Sequence, residues 1–226
     1  LHYPLRRQRQ MCIRDSDQAI ASSGFHGTMA VTSGVKNSGD APEGIKVKEG
    51  SHRIDVKPWP FAGEDGEEPE FSHDPHVWTS PKQAKIQVEN IVEELATKAP
   101  SVKEAGASYE KQLEDLDAWA AKSLGAIPRE DRVLFTSHDA FGYFANAYDV
   151  TFIGSALSDF NNQQDATASH IDEAARTVRE SGAKAIFAEN SNNSKSIEAI
   201  ARAAGVKAIT AEDALYGDSL GIPGSA

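Results

Sequence analysis

From Pro81 onward apolar and polar positions alternate with a helical period. Ala84, Val88, Ile91, Val92 and Leu95 fall on one face, the spacing of an amphipathic helix. Thr79 or Ser80 can cap it, with Pro81 in the first position, where a missing N–H costs nothing. A second helix is expected over residues 102–124, with Tyr109, Leu113, Leu116, Ala120 and Leu124 as its stripe. At ~1.5 Å per residue it spans roughly 30 Å, and Pro128 stops it. Beyond Pro128 short apolar runs alternate with helical periods. Strands are expected at 133–135, 150–153, 185–188 and 206–210, and helices at 140–148, 169–180 and 194–204. Ile171, Ala174, Ala175 and Val178 form the inward face of the helix at 169–180. This βαβ rhythm with all-apolar strands predicts an α/β fold of parallel sheets flanked by helices on both faces.

The first part of the chain is less regular. A short helix at 17–22 and a strand at 28–32 are expected, followed by a long polar stretch at 37–73 that carries the acidic run Glu64-Asp65-Gly66-Glu67-Glu68. Ile54, Val56, Trp59 and Phe61 can build a hairpin inside it. The long helix then divides two lobes. The expected organisation is a leader at 1–16, an N-terminal lobe at 17–101, a connector helix at 102–127 and a C-terminal lobe at 128–226. The leader is set aside as non-native. Its run Arg7-Gln8-Arg9-Gln10-Met11-Cys12-Ile13-Arg14-Asp15-Ser16 is basic in an acidic protein and resembles translated sequencing-adaptor sequence.

Composition narrows the chemistry. The net charge of −11 argues against nucleic acid as a partner, because phosphate binding needs a basic footprint. A lone cysteine, Cys12, excludes an intrachain disulfide and a cysteine-based zinc site. No apolar run approaches the ~20 residues of a membrane span. The chain does not open with Met and carries no export signal, so it is expected to be a fragment.

Three segments offer metal ligands at loops: Asp74-Pro75-His76-Val77-Trp78, Thr136-Ser137-His138-Asp139-Ala140-Phe141 and Leu215-Tyr216-Gly217-Asp218-Ser219. Two imidazoles and a carboxylate suit a borderline divalent ion such as Zn²⁺. Ligands of parallel sheets bind beyond the carboxyl ends of the strands. His138 follows one expected strand directly, and Asp218 lies in the segment after the last one. His76 belongs to the first lobe and the other two to the second, so a shared ion would lie in the interlobe cleft.

Four ordered motifs, His-Asp-Pro-His-Val-Trp (73–78), Phe-Thr-Ser-His-Asp-Ala-Phe-Gly-Tyr-Phe (135–144), Ile-Phe-Ala-Glu-Asn (186–190) and Leu-Tyr-Gly-Asp-Ser-Leu (215–220), resemble the substrate-binding proteins of bacterial zinc and manganese ABC importers. The resemblance covers residues 17–226. It implies two α/β lobes joined by one rigid helix and a cation held between them by four side chains. It carries ligand roles onto His76, His138 and Asp218. The family's first ligand, an earlier histidine, has no match, and the family continues with a further helix beyond the Asp218 loop. The fragment is therefore expected to be incomplete at both ends. Manganese-type members carry glutamate where His138 stands, so the resemblance implies zinc first and manganese second. The His-rich loop of zinc-type members is replaced by an acidic stretch that holds only His52 besides His73 at its end. The implied protein is a monomer outside the cytoplasmic membrane, periplasmic or membrane-anchored, that hands its ion to an ABC permease and is not an enzyme.

Other roles are open for the same residues. Glu189 can accept a hydrogen bond from a ligand histidine. Asn190 to Asn193 can cap a helix, and Asp139 can cap one starting at Ala140. His73 is a secondary metal candidate, His26 and His170 read as surface residues, and Trp78 and Phe141 as packing beneath the site. Two rival functions share the ligand set. One is a zinc hydrolase with three ligands and an open water position, although no His-Glu-x-x-His motif and no general base accompany it. The other is a metal-binding adhesin or chaperone without a permease.

Overall fold

The computed structural model describes residues 20, 22–39, 41, 44–59, 71–156, 168–191 and 193–219. The chain forms two compact units, Leu1–Ala118 and Trp119–Ala226. The helix expected at 17–22, the acidic run and Phe61 lie outside the described residues, or nearly so.

In the first unit, strand β1 (Thr28–Ala30) pairs in parallel with β2 (Lys46–Lys48), Met29 opposite Val47. The sequence reading missed β2, whose lysines point outward on both sides of one half-buried valine. The expected hairpin is absent among the described residues. Ile54, Val56 and Trp59 lie in no strand, and the segment makes only an isolated antiparallel bridge, Pro58 with His73. Helix α1 (Pro81–Ala96) starts where expected, with Ser80 as N-cap and Pro81 in its first turn. Its predicted stripe is covered only in part: Ala84, Val88 and Val92 are half-buried. Ile91 and Leu95 are exposed, while the polar Asn90 is buried. The Asn90 carboxamide donates to the carbonyls of Thr32 and His52 and accepts the His52 N–H at 2.7–3.1 Å. That pins the loop after β1 and the loop after β2 to one helix, and buried amide groups are retained where all their bonds are met.

Helix α2 (Val102–Gly125) matches the expected long helix. A side-chain carbon at Gly106 would stand 2.3 Å from a Val92 methyl, so the glycine lets α1 and α2 approach closely. Leu113 and Ala120 of the predicted stripe are buried, whereas Tyr109 and Leu116 are exposed.

The second unit follows the predicted alternation closely. Strand β3 (Val133–Thr136) pairs in parallel with β4 (Thr151–Ser155), with a register shift between Leu134 and Phe135. Strand β5 (Ala185–Phe187) pairs in parallel with β6 (Lys207–Ile209), and β3 lies against β5. Helices α3 (Gly142–Ala147), α4 (Ala168–Ser181) and α5 (Lys195–Ala204) connect them. Successive strand residues point to opposite faces. Phe135 joins Val178, Ile186, Ile197 and Ile200 in one core, while Leu134 joins Ala140 and Phe141 in another. Both faces of β3 are thus covered, as its all-apolar sequence requires. Gly205 ends α5 in the left-handed conformation, φ 76°, where a glycine carries no Cβ penalty. No helix among the described residues is long and apolar enough to cross a membrane.

Candidate metal centre

In the first unit the ligand segment is built around Asp74-Pro75-His76. One oxygen of Asp74 accepts both the His76 backbone N–H at 2.9 Å and the ring Nδ1–H at 2.6 Å. The carboxylate therefore fixes the ring tautomer and leaves Nε2 as the basic nitrogen. Both side chains are buried. Trp59 stacks on the His76 ring at 6.3 Å between centroids, and Trp78 meets it edge-on at 5.5 Å. Trp78 was expected beneath the site; it is 45% exposed and covers the ring from the solvent side instead. Asp74 was not singled out from the sequence. An acidic residue two positions before a candidate histidine was the available signal.

In the second unit His138 stands two residues beyond β3, at the carboxyl end of the strand. Its Nδ1 lies 2.6 Å from Glu189, a carboxylate with 1% exposure at the end of β5. The other Glu189 oxygen accepts the His138 backbone N–H at 3.0 Å, and the Ser137 hydroxyl accepts the Glu189 N–H at 3.1 Å. The Thr136 hydroxyl donates to the His138 carbonyl at 2.6 Å. On the far side of the ring, Nε2 lies 2.9 Å from a carboxylate oxygen of Asp218. The Asp218 loop reaches that position because Leu215 adds a parallel bridge beside Glu189, with Leu215 N–H to Ala188 carbonyl and Asn190 N–H to Leu215 carbonyl both at 2.9 Å. Asn190 ties the loop again through its side chain, donating to Ser219 at 2.5 Å.

Burial pulls the His138 pKa down, but the hydrogen bonds with Asp218 and Glu189 and the charge of both carboxylates outweigh it. The pKa is pushed up to about 9. Without metal the ring is an imidazolium held between two carboxylates. A divalent cation in place of the Nε2 proton would carry positive charge at the same point, and His138 Nε2 and an Asp218 oxygen could both donate electron pairs to it.

The chain matches the model of the family described as zinc-uptake complex component A, periplasmic, over residues 8–226. It belongs to that family. Among curated relatives, it is 33% identical to the manganese-binding lipoprotein MntA of Bacillus subtilis over 67% of this chain and 51% of that protein. It is likewise 33% identical to the zinc-binding protein TroA of Treponema pallidum, over 70% and 52% respectively. The solved structure of the periplasmic zinc-binding protein TroA from Treponema pallidum superposes with a TM-score of 0.63 at 28% identity, covering 81% of this chain and 65% of that one. The α/β fold expected from the sequence is the fold of this zinc-uptake family. The chain spans about half the length of the curated relatives it matches.

Several side roles change. Glu189 does hold His138, as the sequence reading allowed. Asp139 does not cap α3: that helix begins at Gly142 with Phe141 as its N-cap and no side-chain capping bond. His170 is not a plain surface residue, because its Nε2 lies 2.8 Å from the Ala156 carbonyl and ties α4 to the end of β4. Phe141 packs under the site as expected, its ring 3.5 Å from where a Cβ on Gly217 would stand. Asn193 accepts the Lys195 N–H at 3.0 Å at the start of α5. His73 is buried with its ring 3.5 Å from the Ser72 hydroxyl.

Proposed function

We propose that this chain is the metal-capturing portion of an extracytoplasmic solute-binding protein that delivers a divalent cation to an ABC importer, with His76, His138 and Asp218 as shared ligands of one ion. Zinc is the first choice and manganese the second. The observation that carries the reading is the treatment of the two imidazoles. Each has its Nδ1 held at 2.6 Å by a buried carboxylate, Asp74 for His76 and Glu189 for His138. Carboxylate–imidazole pairs of this kind orient metal-ligating histidines and raise their basicity. A structural histidine needs no such arrangement twice.

Nitrogen donors at both positions favour zinc over the harder manganese, which prefers oxygen. The names of the relatives include both metals, so the donor set rather than the kinship supports the preference. Zinc uptake, not hydrolysis, is what the family's description names. The protein acts as a monomer whose long helix α2 serves as connector, periplasmic or anchored on the outer side of the cytoplasmic membrane, and a membrane permease receives the ion.

The decisive measurement is zinc and manganese content after dialysis, with competition against a chromophoric chelator, for the wild type and for His76→Ala, His138→Ala and Asp218→Ala. One zinc per chain is expected, with each substitution lowering affinity by at least tenfold and manganese binding weaker than zinc. Zinc binding unchanged in His138→Ala would remove the central ligand and with it this reading.

A further inference from the structure

Asn37 lies in the long polar stretch, far in sequence from any expected ligand, yet it is 3% exposed and its side chain is engaged by the segment that leads into His76. Its Oδ1 accepts the Ser72 N–H at 2.8 Å, the Ser72 hydroxyl at 3.0 Å and the His73 N–H at 3.4 Å, as well as its neighbour Ser38 N–H at 2.9 Å. Its Nδ2 donates to the His73 carbonyl at 2.9 Å. The carboxamide thus presents an acceptor and a donor to one residue's N–H and C=O, as the peptide group of a neighbouring strand would. On the same segment the Asp74 N–H donates to the Lys57 carbonyl at 2.8 Å and Pro58 bridges His73. The Ser72–Asp74 backbone is therefore held by main chain at 57–58 and by the Asn37 side chain.

What this clamp delivers is the next residue pair. Asp74 and His76 are joined through a single carboxylate oxygen, so the ring direction follows the Asp74 backbone. Phe71, just before the clamped segment, supports Trp59 edge-on at 5.2 Å, and Trp59 stacks on His76. Gly39 makes room for that ring: a Cβ there would stand 2.5 Å from a Phe71 ring carbon. The turn 37–39 thus touches the His76 segment twice, by hydrogen bonds and by packing.

We infer that Asn37 is a positioning residue for the metal site, setting the direction of the His76 imidazole through the Ser72–Asp74 backbone. This rests on the reading of His76 as a ligand. A carboxamide supplies both a donor and an acceptor in one planar group, and glutamine would set that group one methylene further from the backbone. Aspartate matches the shape but sets an oxygen against the buried His73 carbonyl, and serine keeps an acceptor and loses the reach.

The test has two arms. Imidazole ¹⁵N–¹H spectra of the metal-free chain read the His76 Nδ1–H bond to Asp74 directly. Asn37→Asp and Asn37→Ser are expected to shift that resonance and speed its exchange with solvent at least tenfold, while the His138 signals stay in place. The second arm is a double-mutant cycle on zinc affinity. Asn37→Asp is expected to weaken binding about 10- to 100-fold, the range seen for residues that orient ligands, and to change it less than about twofold in a His76→Ala background. Equal losses in both backgrounds would mean a general loss of structure and overturn the inference, as would an unchanged His76 resonance. If His76→Ala alone leaves zinc affinity intact, the ligand assignment fails, and the spectra still decide whether Asn37 orients the ring.

Discussion

One carboxylate oxygen of Glu189 accepts the His138 backbone N–H at 3.0 Å, and the other lies 2.6 Å from Nδ1 of the same residue. A single buried side chain therefore fixes both the backbone and the ring of the proposed ligand. Glu189→Gln keeps the shape but removes the charge and places a donor or a weaker acceptor opposite one of those groups. It is expected to lower zinc affinity by about 10- to 100-fold. Chelator competition at fixed pH checks this, and an affinity within twofold of wild type would reduce Glu189 to a packing role.

The raised pKa of His138 gives the metal-free chain a pH-dependent stability. Its folded value of about 9 lies above the ordinary 6.5. The contribution is complete below 6.5, declines as pH rises, and is lost above 9; it amounts to about 3 kcal/mol. Urea unfolding of the zinc-free protein at pH 6 and pH 9.5 should show the wild type losing more stability than His138→Gln over that interval. Parallel losses in the two proteins would contradict the double-carboxylate account. In the same window zinc loading should expel a proton from His138, measurable as acid release in weakly buffered solution.

Gly217 stands where a Cβ would be 2.6 Å from the buried Glu189 carboxylate and 3.5 Å from the His138 ring. Gly217→Ala must push Asp218 away or displace Glu189. Overpacking of this kind costs about 1–3 kcal/mol. The expected result is a lower thermal midpoint together with at least a tenfold loss in zinc affinity. A stable Gly217→Ala protein with native affinity would show that the loop yields freely.

Asn90 makes three hydrogen bonds to the backbone of two different loops in the first unit. Asn90→Ala leaves the Thr32 and His52 carbonyls and the His52 N–H without that partner, at about 1–3 kcal/mol for each group that water cannot reach. Chemical unfolding should register a loss of about 3 kcal/mol. Less than 1 kcal/mol would mean that water replaces the carboxamide at little cost.

The second unit was the more legible half. Its strands are uniform apolar runs and its helices carry a clean period, so the order β3, α3, β4, α4, β5, α5, β6 could be read almost residue by residue. The first unit resisted because its elements are short and its segments are joined by side-chain amides. The three-residue β2 is polar on two of its positions, and Ile54, Val56 and Trp59 mimic strand alternation while packing as irregular chain. Asp139 looked like a helix cap because it precedes a helical period, but α3 starts three residues later, after Phe141 has turned into the apolar cluster.

The sequence by itself determined the α/β class, the long helix, and the identities of the metal-ligand candidates His76, His138 and Asp218, because hydrophobic period and motif order are properties of the chain. Tertiary structure decided which groups hold those candidates, of which the sequence had offered only Glu189. Asp74 orients His76 through a two-residue turn, Glu189 reaches His138 from another strand, and Asn37 clamps a backbone thirty-six residues away. Such partners are set by where strands end and how loops return to them. Hydrogen bonds form at about 3 Å whatever the separation along the chain, so only the Asp74–His76 pair, two residues apart, left a local trace.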